Sequence, residues 1–399
     1  MCMKRGEVFA WGMYDLANTI YSALFVTIFY PLYIKQFLGG NEFQIGLVFG
    51  LSMLAVGVAV PVVGAWSDLL GKRMPFIAVF TVICCLFTAF VAAVPLSWAL
   101  IAGFLANFSY HAALTTYNAL LPKIATRRER GNVSGIGTAM GYVGTLVSLG
   151  IASILLMRNG WETAEGAQSV FVATAVMFFV FSLFTFFGVK EKSLRIRQSV
   201  AVHLGESVRA VFKTVTNVSR HRPVLWFLLS MFLVTNAINA VIVFLFLFAR
   251  QEINLSVKAF FVVYTIQSIG AVVGSIVAGK ATDRLGARRV LLWSIWGWVF
   301  VIVLLLFVKG LPMFVLAGTL GGAALGAVWT AQRPKLLELV EEQHAGQFFG
   351  FLELTNKFSG ILGPIVFGAL AAFVNYQAAL ISVLGFFGLG LLFLRGVPK

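Results

Sequence analysis

Charge is scarce in this sequence, and acidic charge is scarcest. Asp, Glu, Lys and Arg make up 11% of the 399 residues, with 15 acidic side chains, 4 histidines and 3 cysteines. A soluble domain is about one quarter charged, so an ordinary water-soluble globule is excluded. His111, His203, His221 and His344 are scattered, which excludes a histidine-based metal or acid–base centre. Cys2 stands apart, and Cys84 and Cys85 are neighbours in an apolar run. Adjacent cysteines on a helix cannot make a normal disulfide and lack metal-ligand spacing. No G-x-x-x-x-G-K-[ST] phosphate loop is present, so ATP is not the expected energy source. No catalytic residue, metal or cofactor is expected, and a membrane enzyme is disfavoured.

What fills the sequence instead is apolar. Hydrophobic residues account for 60% and mean hydropathy is +0.93. Met74–Val94 runs without a single charge, long enough to cross about 30 Å of hydrocarbon at ~1.5 Å per helical residue. In lipid the backbone must satisfy its own hydrogen bonds, so such runs predict helices. Twelve spans are expected, at roughly 9–36, 43–66, 75–94, 97–121, 131–156, 168–188, 222–249, 257–279, 289–308, 311–332, 347–373 and 376–395. The first carries Asp15 and Asn18 and has no cleavage site, so it reads as a permanent helix rather than a signal peptide.

One long connection divides the spans into a half at 1–188, a linker at 189–221 and a half at 222–399. In the linker, Val200, Leu204, Val208, Val211, Phe212, Val215 and Val218 recur at helical spacing with Arg209, Lys213 and Arg220 between them. That pattern predicts an amphipathic helix lying on the membrane face. With both termini in the cytoplasm, 24 of the 30 Lys and Arg fall on the cytoplasmic side, as positive-inside placement requires. The net charge of +15 follows loop parity, which disfavours nucleic acid as a partner.

The linking segments contain a repeat. "GAWSDLLGKR" (Gly64–Arg73) returns as "GKATDRLGARR" (Gly279–Arg289). Asp68 and Asp283, Leu70 and Leu285, Gly71 and Gly286, and Arg73 and Arg288 are each 215 positions apart. Both copies fall after the second helix of a half. Parallel repeats of six helices describe the major facilitator architecture, and Gly64, Asp68, Gly71 and Arg73 resemble its signature loop. The expected fold is therefore an all-α membrane protein with twelve transmembrane helices in two halves. Gly64, Asp68, Gly71, Arg73, Gly279, Asp283, Arg284, Gly286 and Arg288 are expected to form a latch that makes and breaks as the halves close and part. A tight polar turn is the plainer alternative.

Three further stretches resemble the vacuolar amino-acid effluxer (autophagy-related) family and its bacterial members. They are "WGMYDLANTIYSALFVTIFYPLY" (Trp11–Tyr33), "YNALLPKIATRRERGNVSGIGTAMGYVG" (Tyr117–Gly144) and "FFGFLELTNKFSGILGPIVFG" (Phe348–Gly368). The sequence departs from that family at Asn236–Ala237, where an Asp-Gly pair is usual, and at Glu353, where a small residue is expected. The expected function is a secondary transporter, a monomer in a bacterial inner membrane, driven by a proton or ion gradient; the resemblance implies that it exports amino acids. Export of another small organic solute, drug or lipid is the alternative. A non-transporting sensor or scaffold is the alternative of another class.

Ionisable groups within the bilayer need a partner or water, so they mark candidate sites. Asp15, Asn18 and Asn118 are expected near one depth, where they could hold a substrate or proton. In the alternative, Asp15 is bonded to backbone and to arginines such as Arg127. Glu353 and Lys357, four apart on one helix, share a face and form either a neutralised pair or a carboxylate-attracting site. His111 can titrate near neutral pH, or serve as a hydrogen-bonded structural residue. Asn236 and Asn239 complete the set. Gly131, Gly135, Gly137, Gly141 and Gly144, with Gly270 and Gly274, are expected at close helix contacts, and Pro364 can kink the eleventh helix.

Overall fold

The computed structural model describes residues 5–70, 72–118, 120, 124, 130–191, 222–340 and 345–398. The linker's amphipathic stretch lies outside them. The helices are α1 (Gly6–Gln36), α2 (Glu42–Leu70), α3 (Met74–Phe90), α4 (Leu96–Asn118), α5 (Arg130–Asn159) and α6 (Ala164–Gly188), then α7 (Arg222–Ile253), α8 (Val257–Leu285), α9 (Ala287–Leu306), α10 (Leu311–Leu339), α11 (Ala345–Phe373) and α12 (Tyr376–Arg395). Among the described residues, nine are long and apolar enough to cross a membrane. The exceptions are α4, which carries Asn107, Ser109 and His111, and α2 and α11, whose apolar described stretches are shorter.

Several helices run further than hydropathy alone predicts. α2 continues to Leu70 and α8 to Leu285. Gly64, Asp68, Gly279, Asp283 and Arg284 are thus helical rather than part of a loop. A helix satisfies its own backbone bonds in water as well as in lipid, so leaving the apolar zone is no reason for it to stop. What stops α8 is Gly286, at φ +86°, a conformation that glycine adopts without steric penalty.

The chain forms two compact units, Met1–Gly40 with Leu51–Lys213, and Asn41–Gly50 with Thr214–Lys399. In the first, α1 is the central helix, with 89% of its apolar window buried against 33% for α3. It touches α5 along a line of glycines. Gly12 meets Met140, Gly137 meets Asp15 and Trp11, and Gly144 meets the Leu16 carbonyl. Hydrogen bonds tie α1 to its other neighbours: Tyr14 to Thr81 at 2.7 Å, Thr185 to the Ala10 carbonyl at 2.6 Å and Tyr117 to the Trp11 carbonyl at 2.9 Å. Between Ser22 and Phe29 the helix widens to π-helical bonding, and Thr27 donates to the carbonyl of Ser22 at 3.0 Å. Such widened turns are frequent at functional sites.

In the second unit α7 takes the central place, with 78% of its apolar window buried. Ser230 fastens it to the Gly390 carbonyl of α12 at 2.7 Å, and Phe244 stacks on Phe367 of α11 with centroids 5.0 Å apart. α8 and α10 interlock through glycines on both partners. Gly270 lies on Thr319 and Gly274 on Ala323, while Gly322 lies on Gln267 and Gly326 on Ala271. Absent side chains let the two backbones approach, which is how helices associate in lipid. The opening stretch of α2 joins this unit, with Glu42 accepting from the Tyr376 hydroxyl at 2.6 Å.

Outward faces are apolar. Val273, Ile276, Val277, Trp293, Trp296 and Phe300 are all exposed. On a soluble protein that density would mark a binding surface; on this multi-pass membrane protein it is the surface that meets lipid.

Candidate functional site

Each unit carries a polar cluster on its central helix. In the first it is built on α1. Asp15 is half-buried, and Asn18 is buried and donates its Nδ2 to Asp15 Oδ1 at 3.2 Å. Thr19 donates to the Asp15 carbonyl at 2.7 Å. The carboxylate lies over Gly137 of α5, where a side chain would occupy its space. Trp11 and Tyr117 stack beside it with centroids 4.8 Å apart, and Tyr21 and Tyr110 continue the aromatic layer at 4.6 Å. His111 is half-buried, edge-on to Tyr110 at 4.7 Å.

Asn118 is exposed at the final residue of α4. Its neighbour Tyr117 is the buried residue that reaches α1. Tyr117 opens the motif Tyr117–Gly144, and nothing in the spacing of that motif marks it for a role. Its ring alternates in α4 with small buried residues, and only packing shows that its hydroxyl turns toward α1.

The second cluster lies on α7 and α11. Asp15 and Asn18 recur 221 positions later as Asn236 and Asn239. Asn236 is fully buried, and its amide is used on both sides: Nδ2 donates to the Phe232 carbonyl and Oδ1 accepts from the Gly363 N–H, each at 2.8 Å. Asn239 is half-buried and donates to Ser359 Oγ at 3.3 Å; Ser359 in turn donates to the Asn356 carbonyl at 2.6 Å. Thr235 approaches Asn356 Oδ1 at 3.5 Å. These bonds use Asn239 Nδ2 and Asn356 Oδ1 and leave Asn239 Oδ1 and Asn356 Nδ2 outside them. Asn356 and Ser359 were missed from sequence, although a polar residue between Glu353 and Lys357 was there to be seen. Glu353 and Lys357 fall on α11, but their side chains lie outside the described residues.

Of the latch residues, the side chains of Asp68 and Asp283, and Gly71 itself, lie outside the described residues. Arg284 is exposed, and Arg288 is half-buried and donates to the Leu394 carbonyl at 3.4 Å. Among the described residues no cluster of His, Cys, Asp and Glu could hold a metal ion.

Two helical units, each with a buried central helix and a polar cluster on it, together with the apolar spans, define a helical membrane protein. The family model of the Major Facilitator Superfamily matches residues 15–266 and 251–399, and the chain belongs to that superfamily, a family of transporters rather than enzymes. It is 23% identical to the uncharacterized MFS-type transporter YxiO of Bacillus subtilis, over 98% of this chain and 94% of that one. It is 25% identical to the multidrug resistance protein MdtG of Salmonella paratyphi A, over 94% and 91%. Among solved structures, a D323A mutant of the nucleoside transporter NupG superposes with a TM-score of 0.76 at 17% identity, covering 98% of this chain and all of that one. A bacterial homolog of the human lysosomal transporter Spinster, inward-facing and unoccupied, gives 0.71 at 15%, over 98% and 96%. These likenesses establish the fold.

Proposed function

We propose that the protein exports amino acids by alternating access, as a monomer in a bacterial inner membrane with both termini cytoplasmic, driven by a proton or ion gradient. One observation carries this reading. Each unit places incompletely buried polar groups, Asp15 in one and Asn239 with Asn356 in the other, far inside a helix that must cross lipid. Facing hydrocarbon would be costly for such groups, so they belong on a water-filled path. The carboxylate at Asp15 is suited to a proton or an ammonium group. The acceptor of Asn239 and the donor of Asn356 that these bonds leave over suit the polar groups of a small solute. Two of the stretches that resemble amino-acid effluxers, Trp11–Tyr33 and Phe348–Gly368, carry Asp15 and Asn356 and support that class of cargo. Export of drugs is the second reading, favoured by the likeness to MdtG along most of both chains.

The test is release from proteoliposomes loaded with a mixed amino-acid panel, with and without an imposed pH gradient, for the native chain and Asn356→Leu. Gradient-dependent release of a subset, reduced at least tenfold by Asn356→Leu, is expected. No release of any member from folded, inserted protein would overturn amino-acid export and leave drug efflux as the next assay.

A further inference from the structure

Glu191 lies just beyond the end of α6, where the chain enters the linker. Its carboxylate oxygen Oε2 accepts from the backbone N–H of Arg73 and from that of Met74, both at 2.7 Å. Arg73 closes the first copy of the repeated motif and is the residue from which α3 starts; its own side chain makes no capping bond. The first N–H groups of a helix have no partner inside it, and a carboxylate there is favoured by both hydrogen bonding and the helix dipole. Pro75 follows and has no N–H to offer. The Arg73 carbonyl in turn accepts from Phe76 and Ile77 at 3.1 and 3.2 Å. One side chain from the exit of α6 therefore holds the point where the motif becomes α3.

The second unit meets the same need by another route. Arg288, the repeat partner of Arg73, donates to Leu394 at the end of α12, and Lys335 of α10 is buried and donates to the Pro398 carbonyl at 3.0 Å. In each unit, the last arginine shared by the two motif copies bonds the chain near the end of the sixth helix, Arg73 through its N–H and Arg288 through its side chain. Here the helix start itself, at Gly286, has no side-chain cap. Glu191 is thus the tie that caps a helix N-terminus, whereas Arg288 serves the C-terminal end of α12.

We infer that Glu191 is a positioning residue for transport: it fixes the motif's end against the exit of α6, and so sets how readily the protein passes between its access states. It touches no solute. This goes beyond the proposed cargo and holds for any substrate.

Two readouts on the full chain in lipid nanodiscs test it. Hydrogen–deuterium exchange across 72–77 reads the cap, and the modification rate of an Asn239→Cys reporter by a cationic methanethiosulfonate reads access. Glu191→Ala is expected to speed exchange at Arg73 and Met74 at least tenfold, leave α4 unchanged, and alter the reporter rate at least threefold. Glu191→Gln keeps an acceptor oxygen and should restore the reporter rate. Should Glu191→Ala not assemble, Glu191→Asp, shorter by one methylene, should move both readouts in the same direction. Unchanged exchange would overturn the contact. Faster exchange with an unchanged reporter rate would overturn the role in transport, leaving a local cap.

Discussion

Asn236 Oδ1 takes the backbone N–H of Gly363 at 2.8 Å, one residue before Pro364 inside α11. A side chain from α7 is thereby inserted into the hydrogen-bond ladder of α11 at the position where proline already removes a donor. Both devices bend or loosen helices. The central helix of the second unit thus holds its neighbour at its weakest point.

Asn236→Leu should therefore destabilise the protein more than Asn239→Leu. The first leaves a buried N–H unsatisfied, at about 1–3 kcal/mol; the second removes a longer bond, from half-buried Asn239 to Ser359. Heat-induced unfolding in detergent, followed by tryptophan fluorescence, should show the larger fall in midpoint for Asn236→Leu.

The glycine seam between α8 and α10 gives an internally controlled comparison. A Cβ at Gly322 would collide with the Gln267 carbonyl, whereas at Gly388 of α12 it would meet nothing. Gly388→Ala should be neutral or stabilising by up to ~1 kcal/mol, from helix propensity. Gly322→Ala should lower the unfolding midpoint, because backbone must move; overpacking typically costs about 1–3 kcal/mol.

Tyr376→Phe removes the hydroxyl that donates to buried Glu42. A hydrogen bond to a charged group is worth about 1.5–3 kcal/mol. The same melting assay should register a loss in that range, and Glu42→Gln, which keeps an acceptor, should lose less.

Asp15→Asn retains a side chain that can accept from Asn18 but removes the charge. If the carboxylate carries the driving proton, release should lose its dependence on an imposed pH gradient while the protein stays folded. Release that still follows the gradient would place the proton elsewhere.

The twelve helices were legible from hydropathy because the constraint behind them is one-dimensional: in lipid each run must close its own backbone bonds, and its length must match the bilayer. The repeated motif was legible for a related reason, since it is recorded as spacing along the chain. Asp15, Asn18, Asn236 and Asn239 stood out as polar residues in apolar runs. Sequence alone could not rank them, because rank depends on partners contributed by other helices. Asn236 spends its whole amide on Phe232 and Gly363, while Asn239 and Asn356 keep a donor or acceptor to offer. Nor did spacing reveal Glu191 at the start of α3, the widened turn of α1, or Tyr117 rather than Asn118 as the residue bonded to Trp11. Each depends on which face of a helix meets a neighbour and at what depth, and packing in three dimensions decides that.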